Sequence, residues 1–341
     1  MEKKDLLKDT IKHIDIKSYD STQLIDAMRD MSFTSRDTAR ATDILMMMVG
    51  EKECTNILTI AGSTSAAGCM QVYVDMVRNK MVDVVVSTGA SIIDMDLFEA
   101  LGYKHYKGHQ DVPDMQLREL YIDRIYDTFI DEEELQACDH TTFEIANNNV
   151  EPRPYSSREF IWEIGKWLHE GHAVKKDSLI QTCYECGVPI FCPAFSDCSA
   201  GFGIGKHQWE HPDKHVSIDS VKDFIELTQI KIKAGTTGLF MVGGGTPKNF
   251  AQDTVVCAEI LGFDVPMHKY AIQITVADVR DGACSSSTLK EACSWGKVDV
   301  TYEQMVYAEG TTVIPAIASY VYHNGPWKER EYKNWNKLFQ K

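Results

Sequence analysis

Six short apolar runs, each closing on a glycine-rich or small-residue turn, narrow the possible folds more than any other feature of this chain. They are NILTIAGS, VDVVVSTGAS, VPIFCPAFSD, GLFMVGGG, YAIQIT and TTVIPAIAS. Continuous Val, Ile and Phe runs of this length suit strands buried on both faces, since a strand with one wet face would alternate apolar with polar residues. Helical patterns lie between them. SIDSVKDFIELTQIKIKAG takes Ser217 as its N-cap and stops at Gly235. KNFAQDTVVCAEILG and SREFIWEIGKWLHEG keep the same apolar spacing, and DEEEL at residues 131–135 reads as the solvated start of another helix. Strands alternating with helices predict an α/β fold with a doubly wound, mostly parallel sheet. No repeat, low-complexity segment or Pro/Gly/Ser linker interrupts the pattern, so one continuous α/β domain is expected over residues 51–330. A helical extension precedes it over residues 1–50, and residues 331–341 form a tail.

Charge restricts the partners. The chain carries 35 Lys and Arg against 50 Asp and Glu, a net −15. Such a surface repels phosphate backbones and attracts cations such as polyamines, so nucleic acid is not an expected partner. No run reaches the ~18 apolar residues of a membrane helix. The charged N-terminus MEKKDLLKDTIKHIDIKSYD lacks the apolar core of a secretory signal, so a cytoplasmic protein is expected. Ten cysteines are too sparse for a disulfide scaffold and read as reduced thiols. Cys183 and Cys186 form C-x-x-C, but Cys192 lies in an apolar run and Cys198 follows it, so buried thiols are favoured over metal. His207, His211 and His215 are spaced like metal ligands, yet Pro212 breaks any helix there, and they read as a polar loop with no metal.

In open parallel sheets, ligands bind beyond the carboxyl ends of the strands, where the small-residue turns fall here. AGSTSAAG (61–68) stands between a strand and a helix, so its backbone N–H groups are placed to cradle a pyrophosphate. GGGTP (243–247) and STGAS (87–91) occupy equivalent positions. None is G-x-G-x-x-G, and each alone is also what a tight turn would need. Three in one chain point to a dinucleotide.

EACSWGK, ending at Lys297, resembles the active-site motif of the deoxyhypusine synthase family. NKMVDVVVSTGAS, VPIFCPAFSDCSAG, TGLFMVGGGTPKN and VYAEGTTVIP resemble further family segments in the family's order, from about residue 35 to about residue 320. The resemblance implies a Rossmann-like NAD-binding domain. It also implies a reaction in which NAD takes a hydride from beside a polyamine's secondary nitrogen and Lys297 captures the aminobutyl unit as a Schiff base. A second amine then receives that unit. Lysine suits the task because Schiff bases form and exchange easily. An ordinary lysine is almost wholly protonated at pH 7, so the role calls for burial or neighbouring positive charge. By the same resemblance Glu291 and Trp295 bind substrate, Trp295 offering a cation–π face. The resemblance assigns NAD to Thr64, Ser65, Thr88, Gly89, Asp197, Ser199, Gly243, Gly244, Thr275, Ala308 and Glu309, with Asp281 and Ser285 added from the loop RDGACSSS. It further implies a homotetramer whose pockets lie between subunits.

Three substrate positions depart from the protein-modifying branch of that family. Phe202 and Cys284 stand where it carries aspartates, and Asn249 where it carries histidine; after STGAS, Asp94 and Asp96 replace a pair of glutamates. A buried ammonium without a counter-ion is costly, so the donor's pose or identity should differ. These changes favour a small-amine transferase, passing the unit from a spermidine-like donor to a free diamine such as putrescine. Modification of a lysine on a translation initiation factor, a reaction on some other amine, and a non-catalytic NAD-binding regulator are the alternatives. The Glu291, Trp295 and Lys297 set argues against the last.

Overall fold

The protein is described by a computed structural model covering residues 2–280 and 287–340. Its centre is a six-stranded sheet: β1 Thr55–Ile60, β2 Val84–Ser87, β3 Ile190–Phe191, β4 Thr237–Val242, β5 His268–Thr275 and β6 Val298–Tyr307. Every neighbouring pair is parallel. Across the sheet the order is β3-β2-β1-β4-β5-β6, so the chain builds outward one way from β1 and then returns to build the other way from β4. The strand order therefore reverses between β1 and β4.

Parallel neighbours need long crossovers, which place helices on both faces. The strand residues divide accordingly. Leu58, Ile60, Val85, Phe240, Val242, Ile272 and Ile274 enter one core, while Ile57, Val84, Val86, Leu239, Met241 and Ala271 enter the other. Both faces are dry, which is why the strands read as continuous apolar runs. Helix α1, Phe33–Gly50, adds Ala41, Ile44, Leu45, Met48 and Val49 to the first core.

The sixth apolar run corrects the sequence reading. TTVIPAIAS belongs to a helix, Gly310–Asn324, whose Val313, Ile314, Ile317, Ala318 and Val321 recur at helical spacing in the first core. A short apolar run cannot by itself distinguish a buried strand from a buried helix. Asp219, not Ser217, caps helix Ser220–Ala234, accepting from the backbone N–H groups of Val221 and Lys222; Ser217–Ile218 pairs instead with Pro154–Tyr155. The pattern from Lys248 onward divides at Asp253 into helix α2, Gly245–Gln252, and a second helix, Thr254–Ile260. His207 is no loop residue. It is buried in the last turn of helix Ser199–Glu210, where its ring contacts Asn147 and accepts from Val216 N–H. The DEEEL segment does begin a helix, Glu132–Asn148, capped by Asp131. Cys183 and Cys186 are buried free thiols. Among the described residues no helix is long and apolar enough to cross a membrane.

Candidate active site

The three small-residue turns meet. Ala61 and Gly62 after β1, residues 87–89 after β2, and residues 243–247 after β4 line one cavity of about 330 Å³, closed on a further side by Pro193, Ala194 and Asp197. It lies where the strand order reverses, the place where an open parallel sheet leaves a crevice between diverging connections. Glycine is needed on two grounds. Gly62 and Gly243 have φ of 78° and 72°, a region that side chains disfavour. At Gly89 a Cβ would stand 2.4 Å from the Cys198 sulfur, so only a bare Cα lets the turn close against the loop carrying Asp197.

Of the residues expected at a cofactor, Thr88, Gly89, Asp197, Gly243 and Gly244 line this cavity. The others are placed around it or away from it. The Thr64 hydroxyl is 2.7 Å from that of Tyr73. Ser65 is buried and its hydroxyl points to the Met95 thioether, so only its backbone is available to a ligand. Ser199 spends its N–H on Asp94 at 2.8 Å. Thr275 ends β5, and its hydroxyl accepts from Ala277 N–H. Ala308 follows β6, and Glu309 caps the helix Gly310–Asn324 by accepting from Thr311 N–H. Asp281, Cys284 and Ser285 lie outside the described residues. Asp96 is fully buried and accepts from Leu179 and Ile180 N–H, which commits it to a helix start. Burial pushes the Asp94 carboxyl up to about 6, with Asp139 and Asp197 adding to the effect against the hydrogen bonds from Ser199. The cavity residues that the sequence reading did not single out, such as Thr246 and Pro247, follow from the same turns; Pro193 and Ala194 arrive through tertiary packing.

Lys297 stands elsewhere. It immediately precedes β6, and its carbonyl accepts from His268 N–H at the amino end of β5. At the other end of that strand, the Ile274 carbonyl accepts from Gly243 N–H at the cavity. The strand rises ~3.3 Å per residue, so its two ends stand about 20 Å apart, but α2 spans much of that gap: it starts at Gly245 in the cavity wall and, at ~1.5 Å per residue, reaches Asp253 beside the Lys297 ammonium after about 12 Å. The Lys297 ammonium is 2.5 Å from an Asp253 carboxylate oxygen and 5.4 Å from the centre of the Trp295 ring. Trp295 itself is 67% exposed, so it is no core residue. Glu291 and Thr288 cap helix Leu289–Ser294 reciprocally, and those hydrogen bonds hold the Glu291 carboxyl below the usual range. Phe202 is exposed on helix Ser199–Glu210, and Asn249 lies in α2.

Two neighbours of Lys297 escaped the sequence reading. Asp253 sits at the break between two helices that the pattern ran together. Lys248, also on α2, has its ammonium at the carbonyl of Ser287 and its whole side chain buried. Burial pushes the Lys248 ammonium down to about 8; the Glu291 carboxylate opposes that change and the charge of Lys297 reinforces it. Lys248 was visible in GGGTPK, but nothing local showed that it turns inward.

The model of the deoxyhypusine synthase family matches residues 23–321. A deoxyhypusine synthase-like protein of Caulobacter vibrioides is 67% identical, the match covering 100% of this chain and 93% of that protein. Another, from Coxiella burnetii, is 64% identical over 99% of this chain and 96% of its own length. Among solved structures, one assigned as a deoxyhypusine synthase of Entamoeba histolytica superposes with a TM-score of 0.61 at 19% identity, covering 95% of this chain and 99% of that one. That last likeness concerns the fold alone.

Proposed function

Because the chain belongs to the deoxyhypusine synthase family, we propose that it is an NAD-dependent transferase that moves an aminobutyl group from a spermidine-like donor, through a Schiff base on Lys297, to a free diamine such as putrescine. The observation that carries this reading is the convergence of the three turns on one cavity at the reversal of strand order. The residues there fit a dinucleotide. Backbone N–H groups of glycine turns are suited to a pyrophosphate, a Cβ at Gly89 would fill the wall, and Asp197 offers a carboxylate to ribose hydroxyls. When bound, NAD would accept a hydride from the carbon beside the donor's secondary nitrogen and later return it. No net oxidation results.

The remaining work falls to the chain. Asp253 is 2.5 Å from the Lys297 nitrogen and orients it toward the donor. Neutral Lys297 then attacks the donor imine, the diamine leaves, and the butyl unit stays on the lysine. Trp295 supplies an aromatic face to the ammonium groups. By the family resemblance the reaction is placed at an interface between subunits of a homotetramer. Loss of family carboxylates at Phe202 and Cys284 favours the free-diamine acceptor over a protein lysine.

The test is to incubate the protein with NAD, spermidine and putrescine, trap with borohydride and locate the adduct by peptide mass spectrometry. A parallel sample without reductant is assayed for homospermidine. An adduct on Lys297 and homospermidine, both lost in Lys297→Ala, are expected. An adduct at another residue, or none in protein that binds NAD, would sink the reading.

A further inference from the structure

A chain of buried polar side chains that the proposed reaction does not use ends at the helix break presenting Asp253. Lys231 in the last turn of helix Ser220–Ala234, Thr237 at the start of β4 and His268 at the start of β5 are each no more than 1% exposed. The Lys231 ammonium donates to the Gly235 carbonyl at 3.1 Å and to the Thr237 hydroxyl oxygen at 2.8 Å. That hydroxyl is 2.8 Å from Nδ1 of His268, and Nε2 of the same ring is 3.2 Å from the Ala251 carbonyl oxygen. A carbonyl only accepts, so Nε2 carries the ring proton, Nδ1 accepts, and Thr237 donates to it. This arrangement needs a neutral imidazole, and burial, joined by the charge of Lys231, pushes the His268 ring well below its usual range of protonation. Burial also pushes the Lys231 ammonium down to about 8, a cost that an apolar side chain of the same size would not carry. The Ala251 carbonyl takes the Thr254 hydroxyl as well, at 2.7 Å, so the two helices that meet at Asp253 are pinned at one atom. The backbone of His268 completes the connection, its N–H donating to the Lys297 carbonyl at 3.0 Å. One residue thus holds the chain on both sides of the Asp253–Lys297 pair.

We propose that His268 is a positioning residue for the nucleophile: its Nε2 fixes the helix break that presents Asp253, its backbone N–H fixes Lys297, and Lys231 acts through Thr237 to keep the ring turned with its proton on Nε2. The proposal rests on the transferase reading above and adds what sets the Asp253–Lys297 geometry. The ring is fully buried and meets no substrate, so it acts only through the backbone it holds. A small slip at the break is enough, because a nucleophile misplaced by about 1 Å loses up to about 100-fold in rate.

Two amide replacements separate the ring nitrogens, since asparagine reaches only as far as Nδ1 and glutamine as far as Nε2. Single-turnover borohydride trapping at saturating NAD and varied spermidine reads the rate of adduct formation on Lys297 apart from substrate binding. His268→Asn should slow the maximal rate about ten- to 100-fold, with half-saturating spermidine within two-fold. His268→Gln should recover to within about three-fold of wild type, because it keeps a donor at the Ala251 carbonyl. A general loss of stability would instead lower the amplitude of both variants and would not spare glutamine. Where His268→Asn fails to fold, Thr237→Val breaks the link to Lys231 and should slow the rate about five-fold, the worth of one hydrogen bond, whereas Thr237→Ser keeps it. A second readout needs no turnover: acetylation by acetic anhydride, followed by peptide mass spectrometry at Lys297 against the exposed Lys176. In His268→Asn the labelling of Lys297 should rise about three-fold or more as Asp253 releases it. Rates and labelling within two-fold of wild type in folded His268→Asn or Thr237→Val overturn the proposal, as does equal slowing by asparagine and glutamine. Either result alongside a wild-type adduct on Lys297 leaves the transferase reading standing. No wild-type adduct, with labelling of Lys297 that depends on His268, sinks that reading and upholds the positioning of Lys297 by His268.

Discussion

Gly89→Ala tests whether the cavity depends on close packing of its walls. The added Cβ would lie 2.4 Å from the Cys198 sulfur and 2.6 Å from its Cβ. Ordinary contact begins near 3.4 Å, so the loop bearing Cys198 must retreat by about 1 Å. Cys198 is 4% exposed and cannot swing into solvent, so Asp197, its neighbour in the cavity wall, must move with it. Overpacking of this kind costs about 1–3 kcal/mol. Spread over a chain of this size that lowers the melting temperature by about 1–4 °C. If the same strain is relieved only by distorting the cavity, NAD affinity falls by about 5- to 150-fold. Calorimetric titration with NAD and a thermal melt read the two effects separately. Cys198→Gly in the same chain removes the obstructing sulfur and should restore both. Gly89→Ala that binds NAD within two-fold of wild type and melts within 1 °C would refute the reasoning, as would failure of the second substitution to rescue it.

Asp253→Asn should slow formation of the borohydride-trapped adduct by up to about 100-fold while leaving NAD binding within two-fold, because a nucleophile misplaced by about 1 Å loses about that much; single-turnover trapping checks it. The Asp94 carboxyl, raised by burial to about 6 from an ordinary 3.8, gives a pH signature. Between about pH 4 and pH 6 the folded state holds a proton that the unfolded state has lost, so this group's contribution to stability falls as pH rises and the penalty is complete above pH 6. Asp94→Asn should abolish that decline, worth at most about 3 kcal/mol, in denaturant titrations at pH 4.5, 5.5 and 6.5. Arg330→Met should destabilise by about 3–5 kcal/mol, since Arg330 pairs with buried Asp83 at 2.6 Å and donates to the carbonyls of Lys80, Val49, Glu51 and Cys54. Adding Asp83→Asn should return part of the loss, and urea unfolding of the three variants measures it.

The sequence alone determined the elements whose signal is local. Five of its six apolar runs are the strands β1 to β5, because dry faces on both sides demand unbroken hydrophobicity. The turns after β1, β2 and β4 were legible because a backbone that bends sharply at a strand end needs small residues. The family was legible in EACSWGK and in the ordered segments before it. Where two structures share one local pattern, the reading failed: TTVIPAIAS packs as a helix although its composition suits a strand, and the helix pattern across Asp253 conceals a break. The tertiary structure decided everything that depends on strand order. Residues far apart in the chain meet at the cavity because β4 returns to the side of β1. Lys297, marked by its motif, lies at the opposite end of the sheet because it precedes its strand whereas the turns follow theirs. Burial decided the rest, turning the Ser65 hydroxyl and the Lys248 ammonium inward. No pattern along a single segment records which other segment will cover it.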